Sequence, residues 1–369
     1  MPTPWYAIAN AADVPSPALL VYPDRVEENI RRMIRLAGGV DRLRPHMKTS
    51  KLPEVVRMHL DQGITRYKVA TIAEAEMTAA SGAPDVLLAY QPVGPNIGRF
   101  IQLIRAFPRT TFSALVDDEA TVRALSRAAT EAGVVANVYL DVDVGMHRSG
   151  IAAGPAAAAL YRAVTEYPGL HAAGLHAYDG HIHDMDPAIR RARCDESFLL
   201  LHRLRDRLLA EGLAVPALVA GGTPTFPFHA ARADVECSPG TTVFWDLNYS
   251  TNLPDLDFLP AVMLLTRVIS KPGGNRVCLD LGHKAVASEN PHPRATFMEV
   301  PDARAIGHSE EHLPIETSLA KDLPVGAALY ALPWHVCPTV ALHNEAVVVR
   351  DGRAVDRWRV LARARTITI

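Results

Sequence analysis

The segment Leu43-Arg44-Pro45-His46-Met47-Lys48-Thr49-Ser50-Lys51 ends a short apolar stretch on a lysine set among cationic and hydroxyl neighbours. An amine attacks a carbonyl only when unprotonated, and burial or a nearby positive charge from Arg44, His46 or Lys51 favours that state. Lys48 is therefore a candidate nucleophile, the plain alternative being a strand-end lysine that reaches solvent. His176-Ala177-Tyr178-Asp179-Gly180-His181-Ile182-His183-Asp184 packs three histidines, a tyrosine and two aspartates into nine residues. Imidazoles move protons near neutral pH and an aromatic ring can hold a flat cofactor, although His-x-His also suits a metal or an exposed loop. In Asp141-Val142-Asp143-Val144-Gly145-Met146-His147-Arg148-Ser149-Gly150, Arg148 stands between glycine turns, a placement that suits an anionic ligand.

Gly221-Gly222-Thr223-Pro224-Thr225 and Ser238-Pro239-Gly240-Thr241 are glycine-and-hydroxyl loops. Bare backbone N–H groups and hydroxyls bind phosphate, while each loop alone also reads as a turn. In His335-Val336-Cys337-Pro338-Thr339, a strand of period two would put His335 and Cys337 on one face, close enough to grip one ion. Two protein ligands leave coordination positions open, as a catalytic metal requires; a core histidine beside a buried thiol is the alternative. Lys284 and the Glu310-Glu311-His312 run receive no role.

These residues need a scaffold that brings them together. Short apolar, β-branched or aromatic runs alternate with Ala/Leu/Arg stretches of helical period, which predicts repeated β-α units and a parallel sheet. Eight strands are expected: 43–48, 67–71, 86–90, 112–116, 136–142, 172–178, 217–220 and 235–237. About 200 residues holding eight such units fit a closed (β/α)8 barrel, whose working residues project from the carboxyl ends of the strands. Beyond Asp246 the runs 261–269, 276–281, 328–332, 336–342 and 346–349 are separated by Pro, Gly and Asn turns, which predicts an all-β domain. The expected division is a barrel over 23–248 and a β-domain over 1–22 plus 249–369.

At 369 residues with a net charge of -2, the chain carries no long basic run to attract nucleic acid or an anionic membrane, so a small molecule is the expected partner. No leader and no membrane-length apolar stretch is evident, which makes the cytoplasm the expected address. The four cysteines form no Cys-x-x-Cys pair, against a disulfide framework.

The Arg44-Pro45-His46-Met47-Lys48-Thr49 run resembles the cofactor-lysine segment of the D-threonine aldolase and D-serine dehydratase family, the fold-type III pyridoxal-phosphate enzymes related to alanine racemase. The remaining motifs occur in that family's order along nearly the whole chain. The resemblance implies a barrel followed by a β-domain, with Lys48 bonded to pyridoxal 5'-phosphate. It implies Arg148 of the Gly-Met-x-Arg segment at the cofactor's phenolic oxygen and Tyr178 in contact with the cofactor. Acid/base work would fall to His181, with His183 as substitute, and the phosphate to Gly222, Thr223, Gly240 and Thr241. A divalent metal (zinc, manganese or magnesium) would sit on His335 and Cys337. Ser50 stands where the family usually has a second histidine. Cys337 stands where the aldolases usually show aspartate; as a thiolate it favours zinc and resembles the D-serine dehydratase branch. The implied activity is retro-aldol cleavage of D-β-hydroxy amino acids, giving glycine and an aldehyde. The second reading is dehydration of D-serine or D-3-hydroxyaspartate to a 2-oxo acid and ammonia, and the third a non-catalytic pyridoxal-phosphate-binding protein. The implied assembly is a homodimer.

Overall fold

The computed structural model describes residues 4–369 and divides into two compact units. One comprises Arg31–Lys48, Pro53–Gly240 and Ala364–Ile369; the other comprises, of the described residues, 4–30, Thr49–Leu52 and Thr241–Arg363. None of the described helices is long and apolar enough to cross a membrane.

The first unit is the expected α/β barrel. Arg66–Val69, Asp85–Leu88, Thr111–Val116, Ala136–Asp143, Leu170–Ala177, Ala217–Ala220 and Val235–Cys237 pair in chain order, every pair parallel. Leu87, Leu115, Tyr139 and Val219, one from each of four of these strands, form an apolar cluster, and Ala89 and Ala217, two positions from Leu87 and Val219, pack on it as the period-two rule requires. The helix Glu119–Ala132 shows why the connecting segments fold as they do. The Asp118 side chain accepts from the Thr121 N–H, Val122, Leu125 and Ala129 are buried at helical spacing, and Gly133 ends the helix at φ +66°.

The eighth expected strand, 43–48, differs from a regular strand. Only Leu43 and His46 form bridges, to Cys237 and Lys68, and a turn begins at Met47. Pro45 has no N–H to give to a ladder. The segment still joins both edges of the sheet: Arg44 N–H donates to Cys237 O (2.8 Å), Met47 N–H to Lys68 O (2.8 Å) and Lys68 N–H to Pro45 O (2.9 Å). The Arg44 side chain, 1% exposed, fastens it further by donating to both carboxylate oxygens of Asp85 (2.6 and 3.1 Å) and to Glu236 (2.7 Å). Its charge is therefore spent on two carboxylates.

The second unit is built on one largely antiparallel sheet. Ala18–Val21 pairs antiparallel with Val262–Gly273 and parallel with Glu345–Arg350, and Val262–Gly273 also pairs with Arg276–Leu279 and Ala328–Pro333. Leu20, Met263, Leu265, Tyr330, Val347 and Val349 fill its core. One expected strand is a helix: Val336–Leu342 is α-helical, with His335 as its N-cap residue. Pro338 decides the matter. In a strand it would remove a ladder bond, whereas in the first turn of a helix its missing N–H has no intrahelical partner to lose. The Val336 N–H, one of those first-turn donors, is taken by the buried Asp246 carboxylate at 3.0 Å.

Candidate active site

The barrel unit contains a cavity of about 350 Å³ lined by His46, Lys48, Lys68, Asp141, Arg148, His176 and Tyr178, among others. Lys48 follows the Pro45 segment and is fixed locally by its N–H donating to His46 Nδ1 (3.3 Å). Three cationic heads gather on the Tyr178 ring: Lys48 Nζ at 5.7 Å from its centroid, Lys68 Nζ at 5.8 Å and Arg148 Cζ at 4.8 Å. An aromatic plate ringed by cations suits a flat anion. The structure thus brings Lys48, Arg148 and Tyr178 together.

It also brings in Lys68, which the sequence reading missed, and Asp141 and His176, to which it gave no role. Lys68, Asp141 and His176 lie within their strands, and Asp141 and His176 are direct partners in register. His176 Nδ1 is 2.7 Å from Asp141 Oδ1, Ser149 Oγ donates to Asp141 Oδ2 (3.0 Å), and Lys68 Nζ is 3.4 Å from His176 Nε2. Burial and then the Lys48 charge push the Lys68 amine down to about 7, against the pull of Asp141 and Asp179. Burial likewise lowers His176, whereas in Asp141 the hydrogen bonds from His176 and Ser149 outweigh burial and lower the carboxyl. The available signal was a lysine in the middle of a buried parallel strand, where charged residues are rare.

The two glycine loops meet through the Gly240 N–H, which donates to Thr223 Oγ1 (3.2 Å), and Gly222, Thr223 and Gly240 are buried. A Cβ added to Gly222 would stand 3.0 Å from Tyr178 Cε2, so bare backbone faces the aromatic ring. Gly221 holds φ +80°, and a Cβ there would meet His229 at 2.5 Å, so only glycine fits. Asp179 braces this loop from below. Its carboxylate accepts from Thr225 Oγ1 (2.8 Å) and from His229 Nε2 (2.7 Å), and Gly222 N–H donates to that same Thr225 oxygen (3.3 Å).

Asp179, Cys194 and His229 place three ligand atoms within 4.8 Å of one another, a spacing that suits a metal ion. The hydrogen bonds favour a different use. Arg232 donates to His229 Nδ1 (3.0 Å), which leaves the ring proton on Nε2 for Asp179, and burial pushes the Cys194 thiol up to about 12. We read the cluster as a brace for the 221–225 loop. Asp179→Ala is expected to lower stability by about 3–5 kcal/mol, because it strands the His229 Nε2 and Thr225 Oγ1 donors in the interior. Thermal unfolding checks this, with Asp179→Asn losing less.

His181 packs on the turn before Arg148: a Cβ at Gly145 would lie 3.0 Å from its Nε2. Its Nδ1 is buried without a hydrogen-bond partner, and burial lowers its pKa. Neither His181 nor His183 is among the residues that line the cavity, and His183 is exposed. Lys284 pairs with Glu310 (2.5 Å) on the surface, and His312 is exposed.

In the second unit His335 and Cys337 do meet, at a helix start rather than along a strand, and their side chains are hydrogen-bonded to each other. His335 Nδ1 is 2.5 Å from Glu289 Oε1, so Nδ1 carries the proton and Nε2 is the nitrogen left to ligate. Burial would lower the His335 pKa, but Cys337, Glu289 and Asp246 outweigh it and raise it to about 9. Thr49 Oγ1 and Thr241 Oγ1 lie 3.1 and 3.6 Å from Cys337 Sγ. An imidazole with a carboxylate behind it, a thiol and nearby hydroxyls form a donor set that fits a divalent ion such as zinc.

The family described as alanine racemase, N-terminal domain, matches residues 21–247, and the putative serine dehydratase domain matches residues 261–349. The chain is 32% identical to a D-threonine aldolase from Arthrobacter sp over 95% of this chain and 93% of that one. The crystal structure of D-threonine aldolase from Filomicrobium marinum superposes with TM-score 0.91 at 29% identity, covering 98% of this chain and 99% of that one. The D-threo-3-hydroxyaspartate dehydratase from Delftia sp. HT23 superposes with TM-score 0.85 at 26% identity, covering 95% and 98%. With a lysine, an aromatic plate and an arginine around one barrel cavity and both domains matched in order, the chain belongs to the alanine racemase-like, fold-type III pyridoxal-phosphate enzymes, in the D-threonine aldolase and D-serine dehydratase group.

Proposed function

We infer that the protein is a pyridoxal-phosphate-dependent lyase of D-β-hydroxy amino acids, and we propose retro-aldol cleavage as its reaction. The observation that carries this is the convergence of Lys48, Arg148 and Tyr178 on one cavity. The cofactor fits: the bare backbone of Gly222 lies close against the Tyr178 ring, and the cationic heads match a phosphate and a carboxylate. Bound there, pyridoxal phosphate would supply an electron sink at the substrate's Cα. Lys48 would hold it, Tyr178 and Arg148 would orient its ring and phenolic oxygen, and Gly222, Thr223, Gly240 and Thr241 would offer donors to its phosphate. His181, whose pKa burial lowers, would take the β-hydroxyl proton as Cα–Cβ breaks. A divalent metal on His335 and Cys337 would polarise the substrate's β-oxygen.

The second reading is dehydration, favoured by the thiol at position 337 and the likeness to the Delftia dehydratase. In that reaction the Lys48 amine would remove the Cα proton. Incubation with D-threonine and, separately, D-serine decides between them. Glycine plus acetaldehyde is the expected result; pyruvate plus ammonia from D-serine, without cleavage of D-threonine, would replace the aldolase reading with the dehydratase.

A further inference from the structure

The reading above leaves a second cavity lysine unused. Lys68 is 2% exposed, lines the cavity with Lys48, and faces His176 Nε2 at 3.4 Å. An ionised carboxylate only accepts, so His176 carries its proton on Nδ1 toward Asp141, and Nε2 is the acceptor for the Lys68 amine. The arrangement has the logic of a catalytic triad: a working group, an imidazole behind it and a carboxylate that fixes the imidazole. A buried lysine needed only for charge would be expected beside a carboxylate, yet here a neutral imidazole stands between them.

Retro-aldol cleavage moves two protons. One leaves the β-hydroxyl as the aldehyde C=O forms; the other arrives at Cα, on the electron pair left by the broken Cα–Cβ bond, so that D-threonine becomes acetaldehyde and glycine with no net change in protons. We propose that Lys68, backed by His176 and Asp141, is the acid/base group that exchanges a proton with the substrate's Cα. The assignment rests on the lyase reading. Lys48 and Lys68 line one cavity and both amines face the Tyr178 ring, at 5.7 and 5.8 Å from its centroid, so a substrate held in that cavity beside Lys48 also meets Lys68. After giving its proton, Lys68 is neutral and recovers one from water entering the cavity. The groups that face the amine, besides His176, are Lys48 and Arg44, which disfavour its charged form, and Asp141 and Asp179, which favour it. With burial they leave it titrating near neutrality, where one group both gives and takes a proton.

The test uses the holoenzyme in two arms. The chain has six lysines, so ¹³Cε-lysine labelling yields a readable set of NMR signals, with Lys68 assigned by its loss in Lys68→Met. The Lys68 signal is expected to titrate near pH 7; titration in the ordinary lysine range, roughly 10.4, overturns the proposal whatever the substrate. In the second arm, exchange of the glycine α-hydrogen with D2O is followed by proton NMR. Lys68→Met and Lys68→Arg are both expected to slow exchange by about 100-fold or more, with borohydride still fixing the cofactor to Lys48. A structural role alone would let arginine restore the rate. Wild-type exchange in Lys68→Met, or no exchange by the unmodified enzyme, overturns the proposal. A protein that exchanges glycine through Lys68 but leaves D-threonine intact contradicts the lyase reading and not this one.

Discussion

Replacing Lys48 with alanine is expected to remove the visible absorption of lysine-bound pyridoxal phosphate and to lower turnover by roughly 10⁴-fold or more, the scale on which loss of a nucleophile is felt. Two amines line the cavity, and their surroundings differ. Lys48 is half-buried at the end of the Pro45 segment, with its amine over Tyr178, while Lys68 is committed to His176 in the interior. Lys48→Arg keeps the charge but cannot form the bond, and should fail equally. Spectra recorded after dialysis against the cofactor, with D-threonine cleavage measured alongside, check both variants. A Lys48→Ala protein that keeps the absorption band would shift the covalent role to Lys68.

The second large effect concerns the metal. Chelation is expected to abolish activity while the cofactor stays bound, because His335 and Cys337 stand on the second unit and Lys48, Arg148 and Tyr178 on the barrel. Zinc should restore activity, and less effectively as pH falls. The sign follows from the ligands: ion binding needs a neutral imidazole and a thiolate, and the His335 pKa, raised to about 9, means that an incoming ion must displace a proton. Glu289→Ala, which removes the carboxylate behind His335, should weaken metal binding by about 10- to 100-fold. Cys337→Asp should shift preference from zinc toward manganese. Dialysis against chelator followed by metal titration of D-threonine cleavage measures all three. Undiminished turnover by metal-free protein would favour a metal-free racemase chemistry instead.

Alternation of apolar strands with helical stretches made the barrel legible, and the polar segments after its strands exposed Lys48, Arg148 and Tyr178. The segment 336–342 misled because Val-Cys-Pro-Thr-Val-Ala-Leu fits a short strand as well as a short helix; Pro338 was the discriminating residue. Arg44 was read as a cation beside Lys48, but its partners Asp85 and Glu236 stand 41 and 192 residues away. The same holds for Asp179, whose partners Thr225 and His229 lie 46 and 50 residues on. Such pairings arise from barrel closure, which no local pattern encodes. Lys68 escaped notice, and Asp141 and His176 were quoted without a role, because the working residues were expected after the strands rather than within them.

Borohydride reduction of the holoenzyme followed by peptide mapping bears most directly on the claim that this cavity is the catalytic centre. Reduction fixes pyridoxal phosphate irreversibly to whichever amine holds it. The expected result is one labelled peptide, modified at Lys48. A label on Lys68 or any other lysine, or no label at all, would contradict the site described.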